Sequence, residues 1–511
     1  MTSMMKQRTL WLFAIILTFL GSHVTMAQDV VGDSIYVPLP MMPKPTVFLP
    51  APPDSVSAEF TDDMLQWQWG KSVRATERGT QAYRESFNLS SSMASVMAQV
   101  LELDTISTEQ TPALNRFLLK AFVTGITSVL ETKWANARTR PFVMMNEAFQ
   151  TPYETPDSVK WYESYPSGHS ASGWAVALAF AEMWPTLQDT ILRRGFQFGE
   201  NRLIVGAHWQ SDVTAGQLCA AANIARAHSN PEFQKDLRAA RSEYALLKGL
   251  PEDYDPVAEA DVPHGERFLN NPVDTASYRY VTDLSQYWHA MPLRYTPRGE
   301  QAAEEAEYSV AMMQKVFGQA MELTLTDEDT PAISALIATV LDKASETADR
   351  LKPIRFRKRP FVQLNEPSFV AGDEEKERGK SSFPSGHTNL GWSEALVLAE
   401  VAPEFQDEIL RRGFQYGYNR LIVGYHWFTD IEASRQLAAA LVARLHADPQ
   451  FRDMIAAARA EYVEKMGGAL PVVSAAAAPQ PSERSYRLDG TPAPAQTRGI
   501  VIQSNRKTLR K

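Results

Sequence analysis

Cysteine is almost missing from this chain: Cys219 is the single one in 511 residues, so no internal disulfide can form. Stability has to come from a packed core. Alternating apolar and polar runs are also nearly absent, which leaves little room for half-buried strands. There is no basic surplus, since 51 Lys and Arg stand against 60 Asp and Glu, and the formal charge of −9 argues against nucleic-acid binding. Past the first residues, no apolar run reads as long enough to span a membrane. What remains is an ordinary globular composition, 44% hydrophobic and 22% charged, with length for two domains.

The chain opens with Lys6 and Arg8, an apolar run from Leu10 to Leu20 and then Thr25-Met26-Ala27, the pattern of a secretory signal cleaved after Ala27. A retained anchor is disfavoured, because the run falls short of the ~20 residues that a spanning helix needs. The mature chain is therefore expected in the periplasm or secreted, with no membrane span.

Most of the rest is one unit written twice. "YPSGHSASGW" from Tyr165 returns as "FPSGHTNLGW" from Phe383, "RATERGTQA" from Arg74 as "RYTPRGEQA" from Arg294, and "RTRPF" ending at Phe142 as "RKRPF" ending at Phe361. "ILRRGFQFGENRLIVGAHWQSD" from Ile191 matches "ILRRGFQYGYNRLIVGYHWFTD" from Ile409, and the offset stays between 218 and 220 throughout. Such collinearity means a duplicated domain and not a short solenoid repeat. The expected division is a signal over 1–27, an extended proline-rich segment over 28–55, domains over 56–248 and 273–467, a linker over 249–272 and a disordered tail over 468–511. The counterpart of Cys219 is Leu437, so the cysteine reads as a small buried apolar residue.

Within each unit the periodicity is helical. Thr111 and Pro112 form a helix start, and Leu114, Phe117, Leu118, Ala121, Phe122, Ile126, Val129 and Leu130 follow at the spacing of a buried face. Gly168 to Trp184 and Ile191 to Val205 also read as helices, separated by Pro185. The expected fold class is all-α, two helical bundles in tandem that pack on each other as a pseudo-dimer.

Three polar clusters occur in both units. Lys133 and Arg140 match Lys352 and Arg359; Ser167, Gly168 and His169 match Ser385, Gly386 and His387; Arg202, His208 and Asp212 match Arg420, His426 and Asp430. Three cations that cannot neutralise one another call for an oxyanion, and one lysine with two arginines suits a tetrahedral phosphate or vanadate. Ser167 and Gly168 stand where a loop enters a helix, so their backbone N–H groups are expected to face the same oxygens. Asp212 lies four residues after His208, one helical turn, and is expected to hold one ring nitrogen while the other attacks phosphorus. His169 is the candidate acid for the leaving alkoxide. Taken singly, these motifs read as a capping pair, a turn before a helix and a helix stop; their joint repetition in one order favours a site. His23, His228, His264, His289 and His446 fall in no such cluster and read as ordinary residues. Trp174 with Trp392, and Trp209 with Trp427, read as packing.

The pattern K-x6-R-P, P-S-G-H and R-x5-H-x3-D resembles the phosphatidic acid phosphatase type 2 and vanadium haloperoxidase superfamily, and the "RxTxRGxQA" element is similar to bacterial class A non-specific acid phosphatases. The resemblance covers roughly residues 45 to 245 and 270 to 465. It implies an all-helical domain, a phosphohistidine intermediate, no metal or other cofactor, and broad hydrolysis of small phosphomonoesters outside the cytoplasm. A vanadate-dependent haloperoxidase, or one catalytic unit beside a phosphate-binding scaffold, are the alternatives. Asn201 and Asn419 replace the serine that opens the third motif, and Glu163 and Ser381 replace a glycine before the second. Asparagine is expected to keep a hydrogen bond, and Glu163 to repel anions at the rim.

Overall fold

The computed structural model describes residues 34–467 apart from 58, 87–88, 149–162, 252–253, 371 and 373, together with short strands between 485 and 510. The expected signal segment lies outside the described residues. In the first half, α1 (Phe60–Val73) is followed by α2 (Pro112–Thr127), the short α3 (Leu130–Ala135), α4 (Gly168–Met183), α5 (Gln188–Ile204), α6 (Gln210–Ala227) and α7 (Pro231–Leu247). The second half runs α8 (Tyr280–Ala290), α9 (Pro331–Ile354), α10 (Gly386–Val401), α11 (Gln406–Ile422), α12 (Phe428–Ala447) and α13 (Pro449–Lys465). Shorter helices, named below by residue, join them. No strand occurs among the described residues before 485, so the all-α expectation holds for both halves.

Local signals explain the helix ends. Pro112 and Pro331 occupy the first helical position, where a missing N–H costs nothing. Ser167 and Ser385 cap α4 and α10, accepting from the N–H of Ser170 and Thr388. Every residue of α4 is buried, including Trp174, because this helix is apolar and small-residue-rich on all sides and fills the centre of its half against α2, α5 and α6. Trp174, Trp209, Trp392 and Trp427 are all fully buried, as packing residues should be.

The segment from Pro112 to Ala135 is, against expectation, long and apolar enough to cross a membrane, but it is mostly buried inside the bundle. Its apolarity serves the core, with Phe117, Leu118 and Ala121 fully enclosed.

The halves do not separate. Residues up to Lys465 form one compact unit, in which α4 packs on α12, and α6 on both α10 and α12. Leading segments cross over. Lys44 N donates to Asp407 Oδ1 at 2.7 Å, Gln406 Nε2 to the Met41 carbonyl at 3.1 Å, and Phe48 meets Trp392 with ring centroids 6.3 Å apart. Reciprocally, His264 N donates to Asp189 Oδ1 at 2.9 Å and Arg193 Nη1 to the Phe268 carbonyl at 3.2 Å. The proline-rich segment is thus not wholly extended: Pro45–Phe48, with proline at its start, makes one helical turn, and Gly265–Phe268 makes another within the expected linker.

The tail, expected to be disordered, carries β1 (Ser485–Arg487), β2 (Pro492–Ala493), β3 (Gly499–Gln503) and β4 (Arg506–Arg510) in an antiparallel sheet of order β2-β1-β3-β4. The β-branched run Ile500-Val501-Ile502 suits a strand. Its Ala- and Pro-rich surroundings mask that signal.

Candidate active site

The cationic residues of the first motif sit on a short turn that the sequence stops sharply. Lys133 lies in α3, and Arg140 is the N-cap residue of the turn Pro141–Met144. Both reach the same backbone oxygen: Lys133 Nζ donates to the Glu163 carbonyl at 2.9 Å, and Arg140 Nη2 at 3.1 Å. Glu163 therefore contributes its carbonyl to the cationic group, a contact that a glycine there would also make.

The histidine of the third motif reaches this group by a chain reversal. Gly206 (φ 73) and Gly424 (φ 81) end α5 and α11 in the left-handed region, which a β-carbon would strain. The reversal lets Ala207 N and His208 N donate to the Arg202 carbonyl at 3.0 and 3.3 Å, with the same pattern from Tyr425 and His426 to Arg420 at 3.1 and 3.3 Å. Arg140 Nη1 then stands 2.9 Å from His208 Nε2, and Arg359 Nη1 stands 3.1 Å from His426 Nε2. Guanidinium can only donate, so Nε2 accepts and carries no proton in either half.

The other ring nitrogen differs between halves. His208 Nδ1 is 3.4 Å from Asp212 Oδ2, the pairing that the spacing predicts. His426 Nδ1 instead donates to the Ser382 carbonyl at 2.6 Å. Asp430 is engaged elsewhere, accepting from Ser382 Oγ at 2.5 Å, Trp427 N at 3.0 Å and Arg357 Nη1 at 2.6 Å. Asp212 has the matching set, Ser164 Oγ at 2.6 Å, Trp209 N at 2.8 Å and Arg138 Nη1 at 2.5 Å. Burial alone would raise the Asp212 pKa, but Arg138 and His208 hold it well below the usual carboxylate range. Each aspartate caps a helix and anchors an arginine, and Asp212 also faces its histidine.

In the second half, Lys352, Arg359, Gly386, His387, Arg420 and His426 line one cavity of about 890 Å³. Gly386, at the start of α10, stands beside Lys352: a β-carbon there would lie 3.8 Å from its Nζ, an ordinary contact distance. His387 Nε2 donates to the Ala306 carbonyl at 2.9 Å, and its ring packs edge-on to Tyr308. Burial and then Arg420 lower the His387 pKa well below the ordinary value; burial and Arg359 do the same for His426, burial and Arg202 for His169, and burial and Arg140 for His208. In the empty pockets these shifts favour the neutral form of all four rings.

Two expected contacts are not made. The hydroxyls of Ser167 and Ser385 cap their own helices, and their N–H groups donate to the Asp212 carbonyl at 2.9 Å and to Ser434 Oγ at 2.8 Å. A serine at that site is more use to the helix start than to an oxyanion, since its N–H is already paired. Asn201 and Asn419 do keep a hydrogen bond, to Glu85 Oε2 at 2.8 Å and Glu305 Oε2 at 2.6 Å. Arg420 Nη2 in turn donates to the Glu305 carbonyl at 3.2 Å, so the asparagine steadies the arginine's support.

Arg138 and Arg357 escaped notice as site residues, although they stand in the repeated "RTRPF" and "RKRPF". Each bridges two buried carboxylates: Asp63 and Asp212 in the first half at 2.5 Å each, Asp283 and Asp430 in the second at 2.5 and 2.6 Å. Asp63 and Asp283 are themselves collinear across the repeat.

A model of the PAP2 superfamily matches residues 113–234 and again 331–453. A non-specific acid phosphatase of Providencia stuartii is 36% identical over 197 residues, 38% of this chain and 79% of that protein. The non-specific acid phosphatase of Salmonella typhimurium is 35% identical over 193 residues, 38% of this chain and 76% of its own length, and an acid phosphatase of Zymomonas mobilis is 33% identical over 194 residues, 38% and 74% respectively. With its matched segment present once in each helical half, the chain belongs to the PAP2 superfamily, in company with bacterial non-specific acid phosphatases.

Proposed function

We propose that both halves hydrolyse phosphate monoesters through a phosphohistidine, outside the cytoplasm. That the chain is a phosphomonoester hydrolase of the acid phosphatase type rests on its family and on the names of its relatives. What supports the finer reading is the guanidinium of Arg140 or Arg359 set against an unprotonated Nε2 in each half.

In this reading Lys133, Arg140 and Arg202 neutralise the phosphoryl oxygens in the first half, and Lys352, Arg359 and Arg420 do so in the second. The Nε2 lone pair of His208 or His426 forms the N–P bond as the P–O ester bond breaks. His169 or His387 gives its proton to the leaving alkoxide. Water then attacks phosphorus, passes its proton to the same histidine, and the N–P electron pair returns to Nε2. Asp212 stabilises the cationic phosphohistidine directly. Asp430 does so at one remove, through Ser382. The start of α4 and of α10, at Ser167 with Gly168 and Ser385 with Gly386, brings the acid histidine close to the cations.

The test is to replace His208 and His426 by Asn, singly and together, and follow hydrolysis of an aryl phosphate. Each single variant should keep the turnover of one site, and the double variant should fall by on the order of 10³-fold or more. A phosphoenzyme trapped by an alkaline quench, in which the N–P bond survives, should disappear with it. A double variant of ordinary activity would overturn the assignment.

A further inference from the structure

A polar cluster at the contact between the halves has no part in this chemistry. Glu182 at the end of α4 and His228 just past α6 come from the first half, Glu400 of α10 and His446 of α12 from the second. His228 and His446, read from the sequence as ordinary, are 218 residues apart, and so are Glu182 and Glu400. The cluster is therefore one Glu and His pair present twice. All four side chains are buried, from 0% exposed at Glu182 to 9% at His228.

The hydrogen bonds assign the ring nitrogens. His446 Nδ1 donates to the Val442 carbonyl at 2.8 Å, because a carbonyl can only accept. In a neutral ring Nε2 then carries a lone pair, yet it lies 2.9 Å from Glu400 Oε1 without hydrogen-bond alignment. A lone pair and a carboxylate oxygen repel at that distance unless a cation stands by them. His228 Nε2 faces Glu182 Oε2 at 2.8 Å, and its Nδ1 lies 3.4 Å from the same Glu400 Oε1.

Charge balance narrows the choice of cation. Two buried carboxylates call for positive charge beside them, beyond what Arg241 and Arg226 lend from further off. Protonating both rings would set two imidazolium ions face to face, since the rings stack with centroids 3.7 Å apart and planes 14° from parallel. One divalent ion neutralises the same carboxylates with both rings neutral.

The geometry points to a divalent-metal site, with Zn²⁺ as the best-suited ion, whose donors are His228 Nδ1, His446 Nε2 and Glu400 Oε1. These atoms lie within 4.8 Å of one another, and tetrahedral Zn²⁺ with bonds of about 2.0 Å spaces its donors roughly 3.3 Å apart. Each ligating ring then has its second N–H on an acceptor, Glu182 for His228 and the Val442 carbonyl for His446. That outer arrangement is what orients histidine ligands at metal centres. Binding requires the rings to splay from their stack, a rotation that brings both lone pairs onto one point. With one donor from the first half and two from the second, the ion pins the halves together, far from phosphate chemistry.

The experiment uses the full chain, stripped with a chelator and then dialysed against Zn²⁺ or Co²⁺, with metal quantified per protein. One ion per chain is expected, with visible Co²⁺ bands of a low-coordinate N/O site, a higher melting temperature on loading, and unchanged aryl phosphate turnover well below melting. Orthovanadate should not displace the ion, which separates this site from the phosphate pockets. Glu400→Gln and His446→Gln should each lose the bound equivalent. A wild-type chain that takes up no stoichiometric metal would show a proton-only network and overturn the proposal, and so would Glu400→Gln retaining a full equivalent.

Discussion

Glu377 Oε2 lies 2.7 Å from Arg359 Nη2, so a carboxylate holds one arm of the guanidinium whose other arm faces His426. Lys380 Nζ grips the same side chain through Oε1 at 2.7 Å. In the first half the matching arm of Arg140 donates to the carbonyl of Glu163. A phosphate entering the second cavity must displace a charged competitor at that arm. The short helix Glu374–Glu377, within the stretch "GDEEKERGK", thus tunes the second pocket.

Glu377→Gln, made in a His208→Asn chain so that the second site alone turns over, should lower KM for a small phosphomonoester. The pair is partly exposed, so a factor of about ten at most is expected. kcat should change little, because the carboxylate leaves before chemistry. An unchanged KM would mean that the contact gives way without cost.

Lys133 makes the charge of the first site depend on pH. Burial, reinforced by Arg140, lowers its pKa to about 7. A depressed lysine is charged below that value and neutral above it, so the first site loses a cation as pH rises through about 7. In a His426→Asn chain, KM for an aryl phosphate should climb between about pH 6 and pH 8.5, after the substrate is already dianionic. Lys133→Arg, whose charge does not titrate in this range, should flatten the climb. A flat wild-type profile would refute the depressed lysine.

How much of this was legible in the sequence follows from how local each signal is. Pro112 and Ser167 announce helix starts within a few residues, and the apolar period of Leu114 to Leu130 needs no partner to be read, so the helices and the order of the motifs were accessible. The convergence of Arg140 on His208 was accessible because the motif occurs twice. Contacts between the halves were not. Nothing near Lys44 points to Asp407, 363 residues away, and the repeated His228 and His446 read as ordinary because the glutamates they meet lie 46 residues earlier in each half. Glu377 meets Arg359 from 18 residues along the chain, a pairing that no local spacing announces.

Arg138 is a test of structural cost. It is 7% exposed and lies between Asp63 and Asp212, which are 1% and 0% exposed. Burial, partly offset by Arg138 and reinforced by Asp212, raises the Asp63 pKa to about 6, so this carboxylate is already at the limit of what one arginine can keep ionised. Arg138→Met leaves two like charges buried without a partner, a loss of about 3–5 kcal/mol by analogy with broken buried pairs. The sign with pH follows from the raised pKa: losing Arg138 raises it further, so the penalty grows as pH climbs above about 6 and shrinks as pH falls and the carboxyl takes up a proton in both proteins. Melting temperatures at pH 8 and pH 5 should therefore differ more for the variant than for the wild type. Adding Asp63→Asn should restore part of the loss at pH 8. A variant that melts with the wild type at both pH values would show that water, and not Arg138, compensates these carboxylates.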